Sequence, residues 1–140
     1  MGWHDATLWS MVADTDSFEF SLDLDYIFQW VAPEPNETYF KFWVAPVTMV
    51  FEDAHSIEIA IQSEQGGMEV ADLHREDPTA TPNGERVQHT YRVECQEGEV
   101  KIRATGFKMY VRRPPTLLGV QSFSLAERGG VSFSREFDDG

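Results

Sequence analysis

The sequence predicts an all-β protein, an antiparallel β-sandwich or flattened barrel of about eight to ten short strands. Apolar and polar residues alternate with period two along most of the chain. Clusters of Gly, Pro, Asn and Asp separate the alternating runs at short intervals. No segment carries a 3.6-residue apolar stripe, an internal repeat or a heptad.

The elements follow in order. Leu8 to Ala13 reads as a strand, and Asp14-Thr15-Asp16-Ser17 supplies a turn. In the next run Phe18, Phe20, Leu22 and Leu24 share one face, and Glu19, Ser21, Asp23 and Asp25 share the other. This is expected to be a half-buried strand with an acidic, solvent-facing side. Residues 32–38, with Pro33 and Pro35, form a loop. Tyr39 to Val44 is a strand, broken or bulged at Pro46, and Val47 to Glu52 continues it. Ile57, Ile59 and Ile61 alternate with polar or small neighbours, and Gln65-Gly66-Gly67 turns the chain. Met68 to His74 is extended. Arg75 to Glu85, with Pro78, Pro82 and Asn83-Gly84, is expected to be an exposed loop. Val87 to Cys95 and Val100 to Ala104 form a hairpin around Gln96-Glu97-Gly98-Glu99. Met109 and Val111 extend that sheet past Gly106, and Pro114-Pro115 ends it. Leu117 to Leu125 is expected to be a short strand and Ala126 to Gly130 a turn. Val131 to Phe133 is a further pairing segment ahead of a frayed acidic tail.

Length and composition bound the rest. A chain of 140 residues is expected to form one domain, 1–140, with 41% apolar residues and 18 aromatics to fill its core. The single cysteine, Cys95, forbids an intrachain disulfide and favours a reducing, cytoplasmic location. The N-terminus lacks the basic and apolar regions of a signal peptide, and no apolar run approaches the ~20 residues that span a bilayer. Residues 1–70 carry thirteen acids and one base, Lys41. Five bases then fall between Lys101 and Arg113 with no acid among them. A net charge of −13 opposes nucleic-acid and anionic-membrane binding and suits a basic protein partner.

No nucleophile elbow, phosphate loop, dinucleotide fingerprint or zinc spacing is present, so no catalytic residue and no cofactor are assigned. Two sets of weaker candidates remain. His4, Asp5, Asp25 and His74 combine imidazole and carboxylate groups able to hold a divalent cation if the fold brings them together. The plainer reading is that Asp5 orients His4 and that His74 and Glu76 make local ion pairs. Glu19, Asp23, Asp25 and Asp53 would form an acidic partner-binding face with Trp43 as anchor. The bases Lys101, Arg103, Lys108, Arg112 and Arg113 are able to bind phosphate or an acidic partner, or to balance acids on a neighbouring strand. Cys95 shares the inward face with Tyr91 and Val93 and reads as a small buried hydrophobe.

Several segments carry a resemblance. They are Trp-His-Asp-Ala-Thr-Leu at 3–8, Leu-Asp-Leu-Asp-Tyr-Ile at 22–27 and Phe-Trp-Val-Ala-Pro-Val-Thr at 42–48, followed by Val50-Phe51-Glu52. Ala-Asp-Leu-His-Arg-Glu at 71–76, Gly-Phe-Lys at 106–108 and Glu-Arg-Gly-Gly-Val-Ser-Phe at 127–133 complete the set. Together they resemble a family of small bacterial proteins of unknown function, and the likeness implies a stand-alone domain. More distantly, the aromatic-His-Asp opening is similar to that of immunity-type proteins of bacterial toxin systems. Neither likeness implies catalytic residues. The expected function is a non-enzymatic, immunity-like or regulatory protein-binding domain; the alternative is a small-ligand or divalent-metal domain, with enzymatic activity left open.

Overall fold

The computed structural model describes residues 3–139. Nine strands, all paired antiparallel, form one sheet that does not close into a barrel. They are β1 (Ala6–Asp14), β2 (Glu19–Val31), β3 (Lys41–Glu52), β4 (His55–Ile61), β5 (Glu69–Ala80), β6 (Val87–Cys95), β7 (Gly98–Ala104), β8 (Gly106–Val111) and β9 (Thr116–Leu118). One helical turn, α1 (Leu125–Arg128), follows. The strand order is β4-β7-β6-β5-β1-β2-β3-β8, with β9 beside β3.

The sheet folds back on itself at two places. Between β1 and β5 only Ala6–Val70 and Thr7–Glu69 are in register. On the other side two strands turn a corner together, as strands do when they pass between packed layers. β3 passes into β4 through Asp53-Ala54, and β7 passes into β8 through Thr105, whose N–H donates to the Glu52 carbonyl at 3.0 Å. Asp53 and Ser56 take φ of 52° and 51° to make the bend.

The alternation read from the sequence sets which side chains meet inside this fold. Phe20, Leu22, Leu24, Val47, Met49 and Phe51 from one half pack with Val70, Tyr91, Val93, Val100 and Ile102 from the other. Phe51, Tyr91 and Phe107 form the aromatic centre, with ring centroids 5.3–5.8 Å apart.

Four segments differ from the sequence expectation. β3 runs unbroken through Pro46, because the ladder beside it changes there from β8, ending at Val47–Val111, to β9, beginning at Val44–Thr116. Proline costs no hydrogen bond at such a gap. Arg75 to Ala80 is strand, not loop; a bulge between Glu76 and Thr79 absorbs Pro78, leaving 81–86 as the turn. In the expected strand 117–125 only the segment up to Leu118 pairs. The expected turn at 126–130 is α1, closed by a Ser124–Glu127 capping box and by Gly129 at φ 79°.

The tail is docked, not frayed. Residues 123–135 lie along the outer face of β2 and β3 and run opposite to β2. The Phe123 N–H meets Asp25, the Ser132 N–H meets Asp23, Thr48 donates to the Ser134 carbonyl and Arg135 reaches Glu19.

Candidate functional site

The acidic row of β2 is where this strap binds. Asp23 and Asp25 were expected at the surface and are fully buried. Arg128 donates to both oxygens of Asp23 at 2.6 and 2.8 Å and to Asp25 at 3.1 Å. Arg112 donates to Asp23 at 2.7 Å, and the Ser132 N–H adds a bond at 2.9 Å. Asp25 also accepts from the Trp9 indole at 2.9 Å and the Phe123 N–H at 3.0 Å. Burial alone would lower the Arg128 pKa; Asp23 and Asp25 outweigh it and hold the guanidinium above its ordinary value. Asp23 accepts four bonds and Asp25 three, all from the chain's own donors, and both are fully buried, so neither is open to an external partner or cation. The acidic face therefore loses its central pair. Its ends remain: Glu19 pairs with Arg135, and exposed Asp53 accepts from Arg86 at 3.1 Å and from Thr105 at 2.7 Å.

The imidazole and carboxylate candidates do not converge. His4 lies 3.5 Å from Asp5, 3.3 Å from the Ala71 carbonyl and stacked on Trp30. Asp5 accepts from Gln121 at 2.9 Å. His74 pairs with Glu94 at 2.7 Å, and Asp25 is in the buried network. Among the described residues no three His, Cys, Asp or Glu side chains stand where they could share a metal ion. One neighbour of Asp5 escaped the sequence reading. Glu69, on the β1–β5 seam, has its carboxyl pushed up by burial, then by the hydrogen-bonded Asp5 carboxyl and by Glu97. Sequence spacing gives no sign of this pair, which only the seam creates.

Of the basic run, Lys108 pairs across the sheet with Glu52 at 3.4 Å and Arg112 is buried on Asp23. Arg113 lies over the Phe123 ring at 4.6 Å. It helps to line a groove of about 870 Å³ between Pro114-Pro115, α1 and the tail. Cys95 is buried, and desolvation followed by the charges of Glu97 and Glu94 raises its thiol to about 11. That environment suppresses the thiolate.

The far end of the β2–β3 hairpin differs from the rest of the sheet. Both strands continue past the main core. Their outer side stays covered: Ile27, Phe42 and Val44 pack under Phe123 from the strap, with Trp30 and Leu118 beside them. The inner side does not. There the row Phe51, Met49, Val47, Ala45 on β3 continues to Trp43, which is 37% exposed. Trp43 is in register with Leu117 of β9, 41% exposed. Phe28 (38% exposed) leans on Tyr26 at 4.9 Å, and Tyr26 on Trp3 at 5.1 Å. Tyr39, 80% exposed, stands beside the hairpin's return. Core-like side chains thus run on where no opposing strand covers them. The sequence offers Trp43 as a candidate anchor, and does not single out Phe28 or Leu117. The dense aromatic spacing at 26–30 and 39–43 was the available signal.

No protein-family model matches the chain, and no curated protein matches it. Among the described residues no helix is long and apolar enough to cross a membrane.

Proposed function

We propose that this chain is a non-enzymatic protein-binding domain whose docking surface is the uncovered apolar patch of Phe28, Trp43 and Leu117. The observation that carries this is the continuation of the core face of β3 to Trp43 beyond its covering strands. Contiguous exposed apolar surface marks interaction sites, and tryptophan in such a setting is a common energetic anchor. The partner is a basic protein with an apolar contact segment. The buried charges cancel in Asp–Arg pairs, so the net charge of −13 resides on the surface and steers cationic partners towards it. An immunity-like role, blocking a basic partner by occupying its working surface, is the form of this reading that best suits the charge.

The test is a pull-down from lysate of the source organism with wild type, Trp43→Ala and Val87→Ala, a control at an exposed apolar residue remote from the hairpin end. A partner retained by wild type and V87A, lost with W43A and weakened by salt, is the expected result. Equal recovery by W43A, shown to be folded by its thermal transition, would overturn the assignment of this surface.

A further inference from the structure

On the outer face of β4-β7-β6-β5 lies a second feature, unrelated to the hairpin end. β4 and β5 both bulge at the same level on either side of β6 and β7. One bulge falls between His55 and Glu58, the other between Glu76 and Thr79. Each carries a non-glycine residue in the left-handed region, Ser56 and Asp77, both at φ 51°. Bulges re-aim side chains and gather next to functional sites, and local strain of this kind persists only where the surrounding structure holds it. Here they raise two rims around a dish of about 420 Å³.

The floor of the dish is Thr90 and Arg92 of β6 with Lys101 and Arg103 of β7. Its charge placement is unusual in two ways. Lys101 is directly opposite Arg92 in the ladder, and like charges so placed repel. Arg92 is engaged by Glu76 at 2.8 Å and has Glu94 and Glu99 at 3.9 Å; Lys101 has Glu99 at 4.0 Å and stands opposite Glu58 in the β4–β7 ladder. Arg103 has no carboxylate partner among the described residues. Its guanidinium donates instead to three neutral oxygens: the Asp77 carbonyl at 2.8 Å, the Thr90 hydroxyl at 2.9 Å and the Thr79 hydroxyl. A protein with this acid excess has carboxylates to spare, and Glu58, Glu76 and Asp77 line this same dish, yet this arginine is bolted down on neutral oxygens.

We propose that the dish binds a compact oxyanion of the phosphate type, held by Lys101 and Arg103 with the Thr90 hydroxyl. An oxyanion between Lys101 and Arg103 supplies Arg103 with the anionic partner it lacks. The carboxylates of Glu58 and Asp77 on the rims limit the ligand's size and charge. They admit a single phosphoryl group and repel an extended polyanion, so nucleic acid is not the ligand.

The test is a titration of the isotopically labelled protein with inorganic phosphate, followed by amide chemical shifts in low-salt, phosphate-free buffer. Saturable shifts confined to Ser56, Asp77 and the facing stretches of β6 and β7, in the millimolar range, are expected. Lys101→Gln is expected to weaken binding about tenfold, the loss of one charge-assisted contact, and Lys108→Gln to leave it unchanged. Arg103→Gln removes the bolt on the β5 bulge as well as a ligand contact, so Lys101→Gln, which breaks no hydrogen bond within the protein, carries the test. Linear, non-saturating shifts, shifts equal to those from chloride, or an unaltered affinity in K101Q would each overturn the proposal.

Discussion

Arg128 Nη2 lies 2.6 Å from Asp23 Oδ1, joining two fully buried side chains 105 residues apart in the chain. This contact decides what the protein's acidic strand is for. β2 presents its carboxylates to the chain's own C-terminal arginines, and the strap that carries them becomes part of the folded unit.

Removing one member of a buried ionic network leaves the other charge uncompensated. Arg128→Met is therefore expected to destabilise the protein by about 3–5 kcal/mol. Urea unfolding measures it. The double substitution with Asp23→Asn should cost less than the sum of the two single ones, because both singles break one network. Additive effects would show that Asp23 and Arg128 are not coupled.

Glu69 carries a pH signature. Its folded-state carboxyl is raised by burial and by Asp5, so the native state holds its proton more tightly than the unfolded chain does. The stability this contributes is complete below the ordinary glutamate range and is lost as pH rises through the raised value. Above it, ionised Glu69 is repelled by Asp5 and Glu97. Glu69→Gln is thus expected to stabilise the protein at pH 7 by roughly 0.5–1 kcal/mol, in the range for surface-charge optimisation. The gain should vanish below the ordinary glutamate range, at about pH 3, where the glutamate is protonated in both states. Thermal unfolding of both proteins across this window checks it; a gain independent of pH would contradict the assigned cause.

Several other carboxyls shift the opposite way. Glu76 is held low chiefly by Arg92, Glu19 by Arg135 and Glu127 by the Ser124 backbone N–H. Their contribution is present above the ordinary carboxyl range and is lost as pH falls through the lowered values. Acid unfolding of wild type should accordingly be sensitive to Arg135→Gln, which frees Glu19. The substitution should raise the pH midpoint of acid unfolding.

Gly98 begins β7 at φ 145°, and a Cβ there would stand 2.0 Å from the Ala60 carbonyl oxygen of β4. Gly98→Ala must push the edge strand away. A loss of about 2–3 kcal/mol is expected, with the earliest amide exchange in β4. Gly84→Ala, where a Cβ meets open space, should cost less despite its own positive φ.

Cys95 offers a chemical probe of the same core. With its thiol raised to about 11, native protein at pH 8 should be inert to a disulfide reagent and should react once denatured. Rapid reaction of the native state would place the thiol outside the core.

Much of the strand framework was legible in the chain because alternation is local. Phe20, Leu22 and Leu24 face inward on β2 as their spacing requires, and Val93 and Cys95 do so on β6. Proline was the main source of local error. Pro78 signalled a loop and Pro46 a break, but a bulge and a gap in the neighbouring ladder let strands pass through both. The candidate site was half legible: Trp43 stood out as an aromatic, while its exposure depends on where the opposing strands stop.

The sequence by itself determined the all-β class, the inward-facing rows, the uneven charge and the solitary cysteine. Each is set by composition or by a two-residue period, which needs no knowledge of the rest of the chain. Only the tertiary structure decided which outward rows meet water. Period two places Asp23 and Asp25 opposite the core and cannot say what lies over them. A segment about a hundred residues later covers them, because buried carboxylates need charged donors and Arg112 and Arg128 supply them. The same strap covers the outer side of the β2–β3 hairpin and leaves its inner apolar patch open.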